Sequence, residues 1–203
     1  MEDIDVYLIR HGESEGNRLG VLQGCKDYPL TKKGEQQAES LGKAFSEQPL
    51  DYIFSSDLSR AMSTALALER FQQVSVEITS LLREIYLGPL QGKTRREIYE
   101  AYPHLVRRSL LRSGLPGTET DEQLTERCRQ LMALFKSLKS GDTIAAISHG
   151  GFITIFFMYV LAEEKWGELR RPFQLDNTGV TKLSWRDGQL IIPYINRIDH
   201  LIK

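Results

Sequence analysis

The stretch IDVYLIRHGES, residues 4–14, sets the expectation for the whole chain. Residues 4–9 form a short apolar run that is rich in β-forming side chains, and this predicts a strand. The run stops at Arg10, His11 and Gly12. A cation and an imidazole therefore stand at the end of a predicted strand, followed by a glycine that lets the backbone turn sharply or approach a ligand.

The segment 143–151 has the same arrangement later in the chain. Residues 143–147 form a strongly apolar predicted strand that ends at SHGG, residues 148–151. The apolar run 152–162 then predicts a buried helix. If the two strands are parallel neighbours, their carboxyl ends lie at the same edge of the sheet, which is where ligands bind in open α/β sheets. The pattern therefore predicts that His11 and His149 meet at that edge.

Strand and helix patterns alternate along most of the chain, which favours a largely parallel sheet covered on both faces. The predicted helices are 31–45, with Thr31 as N-cap, and 57–71, 94–102, 121–139 and 152–162. The predicted strands are 4–9, 51–55, 74–78, 143–147, 180–185 and 190–194, the last two joined as a hairpin across 186–188. We expect one domain over residues 1–203, built as a three-layer α/β/α sandwich with a mixed, mainly parallel central sheet.

Composition narrows the functional classes. The chain has 203 residues, of which 41% are hydrophobic and 26% charged, and a formal net charge of -1. This balance predicts a folded protein and gives no sign of a nucleic-acid binder or a polybasic membrane protein. The run 152–162 is too short to span a bilayer. Cys25 and Cys128 lie far apart without a CxxC pattern, so we expect free thiols and a cytoplasmic location.

Two further side chains stand where catalysis could use them. Arg60 falls just inside the first turn of a predicted helix, where free N–H groups and a guanidinium fork can bind an anion. Glu84 lies among apolar neighbours, and burial would help its carboxyl to keep a proton, as a general acid must. The local sequence also allows plainer interpretations: a solvated arginine, a salt-bridged glutamate, a surface turn at His11 and a core histidine at His149.

Taken together, these segments resemble the histidine phosphatase superfamily, in its phosphoglycerate-mutase-like branch. The resemblance is carried in chain order by these motifs: Arg10 to Ser14 with Asn17; Leu22, Gln23 and Gly24 with Asp27; Pro29, Leu30 and Thr31 with Gly34, Gln37 and Ala38; Ser56, Arg60, Ala61, Thr64 and Ala65; Glu84, Gly88, Gln91 and Gly92; Ser148, His149 and Gly150; and Asn177 with Thr178. It covers most of the chain, and the combined pattern is specific even though an isolated RHG tripeptide is not.

The resemblance implies a role for each of these residues. His11 would be the nucleophile that carries a transient phosphoryl group. Arg10, Arg60 and His149 would form the phosphate pocket, and Asn17, Gln23, Gly24 and Gly150 would help to bind the substrate. Glu84 would protonate the leaving oxygen and then activate water. The resemblance implies no metal and no cofactor.

The same pocket could serve a phosphatase or a mutase. The similar mutases place an arginine directly after the acidic glutamate, and Ile85 stands there; they also have a Trp-Asn pair where this chain has Gly16 and Asn17. We therefore expect a phosphatase that acts on a small phosphate ester. A mutase, or an inactive phosphate-binding regulatory module, is the alternative.

The residues that would choose the substrate lie where the family pattern is loosest. Residues 93–120 are expected to form a substrate-specificity or lid insertion, with Tyr86 and Leu87 beside it. Three basic residues in this insertion have no role that the sequence can assign, and they could grip a phosphate ester or lie on a solvated face. They are Arg107, Arg108 and Arg112. No nucleic-acid or membrane partner is expected, and an exposed edge strand near the C-terminus could pair in a homodimer.

Overall fold

The computed structural model describes residues 3–170 and 174–202. Its strands are β1 (Ile4–Arg10), β2 (Val21–Leu22), β3 (Tyr52–Ser55), β4 (Val76–Ile78), β5 (Lys93–Thr94), β6 (Thr143–Ser148), β7 (Val180–Arg186) and β8 (Gln189–Arg197). Its α-helices are α1 (Glu15–Arg18), α2 (Lys32–Ala44), α3 (Ser59–Glu69), α4 (Arg95–Ala101), α5 (Asp121–Lys136) and α6 (Gly150–Ala162). Short 3₁₀ turns fill much of the remaining chain.

The central sheet has six strands in the order β4-β3-β6-β1-β7-β8. The first four strands in this order run parallel, β7 pairs antiparallel with β1, and β8 pairs antiparallel with β7 at the edge of the sheet. β2 and β5 form a separate two-stranded antiparallel ribbon. The mixed, mainly parallel sheet that the sequence predicted is confirmed.

Helices cover both faces of the sheet. Val6 and Leu8 of β1 belong to the hydrophobic cluster that packs against α5 and α6. Tyr7 and Ile9 of the same strand face the opposite way, into the cluster that contains buried residues of α2 and α3. Successive side chains of a strand point to opposite faces, so a continuous apolar run is expected when both faces are covered. The three-layer α/β/α architecture follows from this packing.

Most predicted elements are present, and some are shorter and others longer than predicted. Thr31 caps α2, as predicted, by accepting a hydrogen bond from the backbone N–H of Gly34 at 3.0 Å. The β7–β8 hairpin turns at Asp187 and Gly188, whose φ angles of 48° and 78° are those of the tight turn that such hairpins favour. The helix predicted over 121–139 ends at Lys136. Within residues 3–170 and 174–202, no helix is long and apolar enough to cross a membrane.

Candidate active site

His11 and His149 meet where β1 and β6 end side by side. Arg10 and Ser148 are register partners in this parallel pair, and the backbone N–H of His11 donates to the carbonyl of Ser148 at 3.0 Å. The two imidazole ring centroids lie 5.1 Å apart, and the side chains are 3% and 0% exposed. The adjacency expected from the sheet topology is therefore present in the structure.

The hydrogen bonding of His11 leaves one ring nitrogen available. Its Nδ1 lies 2.6 Å from the carbonyl oxygen of Gly12. A carbonyl can only accept, so Nδ1 carries the proton of the neutral ring and Nε2 keeps a lone pair. Burial lowers the pKa of His11 well below its ordinary value, and the nearby charges of Arg10 and Arg60 lower it further. The ring is therefore neutral and nucleophilic at neutral pH.

His149 also has one ring nitrogen that forms no hydrogen bond with the described residues. Its Nε2 lies 2.9 Å from the hydroxyl of Ser56, whereas its Nδ1 is buried and finds no hydrogen-bond partner among the described residues. Burial, followed by the charge of Arg60, lowers the pKa of His149 well below its ordinary value. Buried polar atoms without a partner are rare, and a catalytic or ligand-binding role is one explanation for them.

Arg60 is fixed at the start of α3 and is 1% exposed. Its two terminal nitrogens donate to the carbonyls of Lys26 at 2.9 Å and Gly24 at 2.8 Å. Its Nε is buried without a partner in the described part of the chain. Arg10 donates from Nη1 to the carbonyl of Leu175 at 2.6 Å. Two guanidiniums are thus held in place at the cavity that contains the imidazole of His11.

The first turn of α6 sets the surroundings of the Glu84 carboxylate. Glu84 is half-buried, and its carboxylate caps the first turn of α6. Oε2 accepts from the N–H of Gly151 at 3.1 Å, and Oε1 accepts from Phe152 at 2.8 Å and from Ile85 at 3.0 Å. The sequence left open a buried carboxyl or a salt-bridged surface glutamate, and the structure instead surrounds this carboxylate with backbone donors at a helix N-terminus.

The remaining predicted binding residues all line the same cavity. Asn17 Oδ1 accepts from the N–H of Ser14 at 3.1 Å, which fixes the amide as part of a capping box. Gln23 is 8% exposed and accepts from the Ser14 hydroxyl at 2.8 Å. Gly24 has a φ of +53°, a conformation that favours glycine. A Cβ on Gly150 would lie 3.2 Å from Nε of Arg10, so this glycine allows the arginine to approach the helix closely.

Most of these residues line an open cavity of about 600 Å³, and His149, beside His11, is not among the lining residues. Its lining is Arg10, His11, Asn17, Val21, Leu22, Gln23, Gly24, Arg60, Glu84, Leu87, Arg95, Leu111, Gly150, Gly151, Gln174 and Leu175. Among the described residues, no group of three or more His, Cys, Asp and Glu side chains could hold a metal ion. The arrangement can bind a tetrahedral anion against a neutral imidazole with an adjacent carboxylate.

Some residues considered as substrate contacts lie elsewhere. Arg112 pairs with Asp121, donates to the carbonyl of Gly167 at 2.9 Å and stacks 4.8 Å from the ring of Trp166, so it serves packing. Arg108 lines a separate cavity with Arg112, and the side chain of Tyr86 lines a third one. Arg107 is exposed and does not line the catalytic cavity.

Other contacts with the cavity were not found from the sequence. Arg95, Leu111 and Leu175 line it from the start of α4, from a 3₁₀ turn and from the segment before β7. Of these, only Arg95 gave a signal, because it belongs to the basic pair with Arg96. The two leucines lie in segments without periodicity, which a sequence pattern cannot orient.

Comparison with known proteins identifies the family. Residues 6–197 match the model of the histidine phosphatase superfamily (branch 1), and this chain belongs to that superfamily. The protein named "Probable phosphoglycerate mutase GpmB" from Salmonella choleraesuis (strain SC-B67) is 29% identical over 189 residues, which are 92% of this chain and 87% of that protein.

Solved structures of similar proteins include phosphatases. Phosphoserine phosphatase from Entamoeba histolytica, in complex with 3-phosphoglyceric acid, has a TM-score of 0.77 and 30% identity, covering 98% of this chain and 100% of that chain. A mycobacterial glucosyl-3-phosphoglycerate phosphatase has a TM-score of 0.80 and 25% identity, covering 96% and 99%. The family therefore includes similar proteins with phosphatase names and others with mutase names.

Proposed function

We propose that this chain is a metal-independent phosphatase that hydrolyses small phosphate monoesters through a phosphohistidine on His11. One observation carries the proposal. The ring of His11, whose Nε2 keeps a lone pair, lies 5.1 Å from the ring of His149 and lines the same cavity as Arg60. Arg60 Nε and His149 Nδ1 are buried polar atoms that have no hydrogen-bond partner among the described residues. A phosphate group would give hydrogen-bond partners to both atoms and would present its phosphorus to the nucleophile.

In the first step, Nε2 of His11 attacks phosphorus and the bond from phosphorus to the ester oxygen breaks. The phosphoryl oxygens carry negative charge throughout, and Arg10, Arg60 and His149 stabilise it. The transfer is mostly a matter of positioning and charge stabilisation, which fixed cations can supply. The hydrogen bond from His11 Nδ1 to Gly12 spreads the positive charge that the ring acquires when it becomes phosphorylated.

Glu84 would act as the general acid in the first step and as the general base in the second. In its protonated form it gives a proton to the departing ester oxygen, so that a neutral alcohol leaves. In the second step it takes a proton from a water molecule, whose oxygen attacks phosphohistidine and releases inorganic phosphate. A positioned acid or base of this kind contributes about 10²–10⁴-fold in rate.

Hydrolysis is favoured over phosphate shuffling between hydroxyls by the position after Glu84. The similar mutases have an arginine there to hold the substrate's carboxylate. Here the position is Ile85, which is 0% exposed and packs in the hydrophobic core. The backbone therefore directs this side chain into the core. We propose that residues 93–120, which contribute Arg95 and Leu111 to the lining, act as the substrate-specificity segment.

The test is hydrolysis of an aryl phosphate with and without a chelator, beside a mutase assay with 3-phosphoglycerate. We expect hydrolysis that the chelator does not change, no comparable mutase turnover, and loss of nearly all turnover in His11→Ala. Rapid quenching should trap acid-labile phosphate on His11. Mutase turnover equal to hydrolysis, or full activity of His11→Ala, would contradict the proposal.

A further inference from the structure

The main chain of the nucleophile is held from both sides. On one side β1 pairs with β6. On the other side lies the 176–179 turn, which precedes β7. In this turn, the side-chain amide of Asn177 donates to the carbonyl of His11 at 3.0 Å. The N–H of Thr178 donates to the carbonyls of Arg10 at 3.0 Å and His11 at 3.3 Å. The position of the His11 ring therefore depends on the geometry of this turn.

Thr178 adopts a backbone conformation that its side chain disfavours. Its φ angle is +56°, in the left-handed region, and the residue is 0% exposed. A branched side chain makes this region costly, and such residues persist only where the surrounding structure fixes them. If Thr178 relaxed to a negative φ, its N–H would turn away from the carbonyls of Arg10 and His11. A contact that holds Thr178 in this conformation therefore also holds the main chain of the nucleophile.

His200 supplies such a contact from the C-terminal end of the chain. It lies in the 3₁₀ turn Asp199–Leu201, and its Nε2 is 3.0 Å from Oγ1 of Thr178. The hydroxyl of Thr178 has one proton, which it donates to the carbonyl of Asn177 at 2.7 Å. Nε2 of His200 is therefore the donor in its contact with Thr178. The hydroxyl is thus fixed by one hydrogen bond that it donates and one that it accepts.

Asn196 of β8 fixes the two ends of the same turn. Its Oδ1 accepts from the N–H of Asp176 at 2.7 Å, and its Nδ2 donates to the carboxylate of Asp176 at 2.7 Å. A Cβ on Gly179 would lie 2.1 Å from Oδ1 of Asn196, so the glycine allows this close approach. Asn196 thus contacts the ends of the turn, whereas His200 contacts Thr178, the residue between them that has the disfavoured φ.

His200 lies away from the substrate. It lines a separate cavity of about 230 Å³, together with Tyr7 and Phe45, and it does not line the catalytic cavity. Any effect of His200 on the reaction must therefore pass through Thr178 and the main chain that the turn holds.

We propose that His200 is a positioning residue for the reaction. Its hydrogen bond holds Thr178 in the left-handed conformation, and Thr178 in turn sets the main chain from which His11 attacks phosphorus. This inference rests on the proposed phosphohistidine mechanism. Phosphoryl transfer depends on alignment of the nucleophile, and a misplacement of about 1 Å that originates far from the reacting atoms can slow a reaction about 100-fold.

The experiment measures the single-turnover rate at which an aryl phosphate phosphorylates His11, followed by rapid quenching. His200→Gln places an amide nitrogen where Nε2 stands and keeps a donor. His200→Asn is one methylene shorter and does not reach Thr178, and His200→Phe keeps a ring without a donor. His104→Gln replaces an exposed histidine outside both cavities. Chemical denaturation fixes a temperature at which each variant is folded, and His200→Asn carries the test if His200→Phe does not fold.

We expect His200→Phe and His200→Asn to slow phosphorylation of His11 about 10- to 100-fold. The Ki of inorganic phosphate should change less than this rate, because Arg60 and His149 lie on other elements than the 176–179 turn. His200→Gln should keep most of the wild-type rate, and His104→Gln should keep all of it. A merely structural role of His200 would not separate Gln from Asn in this way.

Thr178→Gly tests whether the conformation of Thr178 is what His200 controls. Glycine adopts a positive φ without strain and has no hydroxyl to accept the hydrogen bond. In the Thr178→Gly background, His200→Phe should therefore slow phosphorylation little further. An additional loss as large as the one in the wild-type background would contradict the proposed route through Thr178.

Two further results would overturn the inference. One is a wild-type rate of phosphorylation in both His200→Phe and His200→Asn, and the other is an equal loss in His200→Gln and His200→Asn. In either case, phosphohistidine formed by the wild type would show that the proposed function stands and that only the role of His200 fails. A wild type that forms no phosphohistidine would instead refute the proposed mechanism, and this inference with it.

Discussion

Oε1 of Glu84 lies 2.8 Å from the backbone nitrogen of Phe152, so a carboxylate from one loop caps a helix that begins more than sixty residues later. His149, at the N-cap position of α6, forms no side-chain cap of its own. The helix that follows the second histidine therefore holds the proposed acid in the cavity. Glu84 and His149 are thus both attached to the N-terminus of α6, Glu84 through hydrogen bonds and His149 as the N-cap residue.

Gly151→Ala should displace Glu84 without removing any functional group. A Cβ at this position would lie 2.5 Å from Glu84 Oε1 and 3.0 Å from its carboxyl carbon, so the carboxylate must move. We expect kcat for an alkyl phosphate to fall about 10²- to 10⁴-fold, the usual contribution of a general acid. An aryl phosphate, whose leaving group needs less protonation, should lose less. Steady-state kinetics on the two substrates measures the difference.

The control is a double-mutant cycle with Glu84→Gln. If Gly151→Ala acts through the carboxylate, adding it to Glu84→Gln should change kcat little further. Additive losses would show that the alanine damages the site by another route. Unchanged turnover of the alkyl phosphate in Gly151→Ala would contradict the placement of Glu84.

Arg127 and Glu119 form a clamp, defined here as their ion pair together with the hydrogen bond from Arg127 to the loop that carries Glu84. Arg127 donates to the carbonyl of Arg83 at 2.8 Å, pairs with Glu119 at 2.9 Å and lies 4.0 Å from the ring of Phe152. Both partners of the ion pair are nearly buried, at 13% and 15% exposure. Arg127→Met should cost about 3–5 kcal/mol of unfolding free energy, because it leaves Glu119 without its partner. Chemical denaturation measures the loss.

Arg129 on the same helix provides the matched control for the clamp. It pairs with Glu126 and Glu164, but its side chain is 51% exposed, so Arg129→Met should cost much less stability than Arg127→Met. Combining Arg127→Met with Glu119→Gln should recover part of the stability. Equal losses of unfolding free energy in Arg127→Met and Arg129→Met would show that the buried ion pair stabilises the fold no more than the exposed one.

The sequence predicted those parts of the fold in which a hydrophobic pattern follows directly from burial. β1 and β6 are buried on both faces, so their continuous apolar runs could be recognised, and the parallel topology then placed His11 beside His149. α1 was missed because a four-residue helix is too short to show a period. The two-residue strands of the β2–β5 ribbon were missed for the same reason.

The site was less predictable wherever distant segments decide the environment. Neighbouring residues left open whether Glu84 is buried or salt-bridged at the surface, and they gave no sign of the backbone donors that the first turn of α6 supplies. The role of Arg112 was left open, because its partner Asp121 lies across a loop whose path no spacing reveals. Arg95 enters the cavity through a ribbon pairing that local sequence does not show.

Asp27 supports Arg60 from another loop. The N-cap residue of α3, Leu58, has no side-chain cap, and Oδ1 of Asp27 accepts instead from the N–H and the hydroxyl of Ser59 at 2.9 and 2.8 Å. Asp27→Ala should cost about 1 kcal/mol of stability. It should also raise KM for phosphate esters, because Arg60 is the next residue of the helix. Denaturation and kinetics measure the two effects.

Thr31→Ala separates the loss of a helix cap from an effect on the pocket. Thr31 caps α2, which carries none of the proposed phosphate-binding residues, so this variant should lose a similar amount of stability with little change in KM. If KM rises equally in Asp27→Ala and Thr31→Ala, the change in KM reflects lost global stability and not the position of Arg60. Asp27→Asn, which keeps an oxygen acceptor, should behave more like the wild type.

The two buried histidines make stability depend on pH. An unfolded histidine titrates near pH 6.5, whereas burial and nearby cations hold the pKa of His11 and of His149 well below that value in the fold. Below about pH 6.5 the unfolded chain therefore binds protons that the folded chain does not. The unfolding free energy should fall on acidification by about 1.4 kcal/mol per pH unit for each histidine.

His149→Asn isolates one of these contributions. Between pH 7.5 and 5, in buffers without phosphate, its unfolding free energy should fall less steeply than that of the wild type, by about 1.4 kcal/mol per pH unit at the acidic end. Replacement of the exposed His104 by asparagine controls for the loss of an imidazole outside the cavity. Parallel curves for the wild type and His149→Asn would contradict a neutral, buried His149, since they would show that this imidazole binds its proton equally well in the folded and unfolded chains.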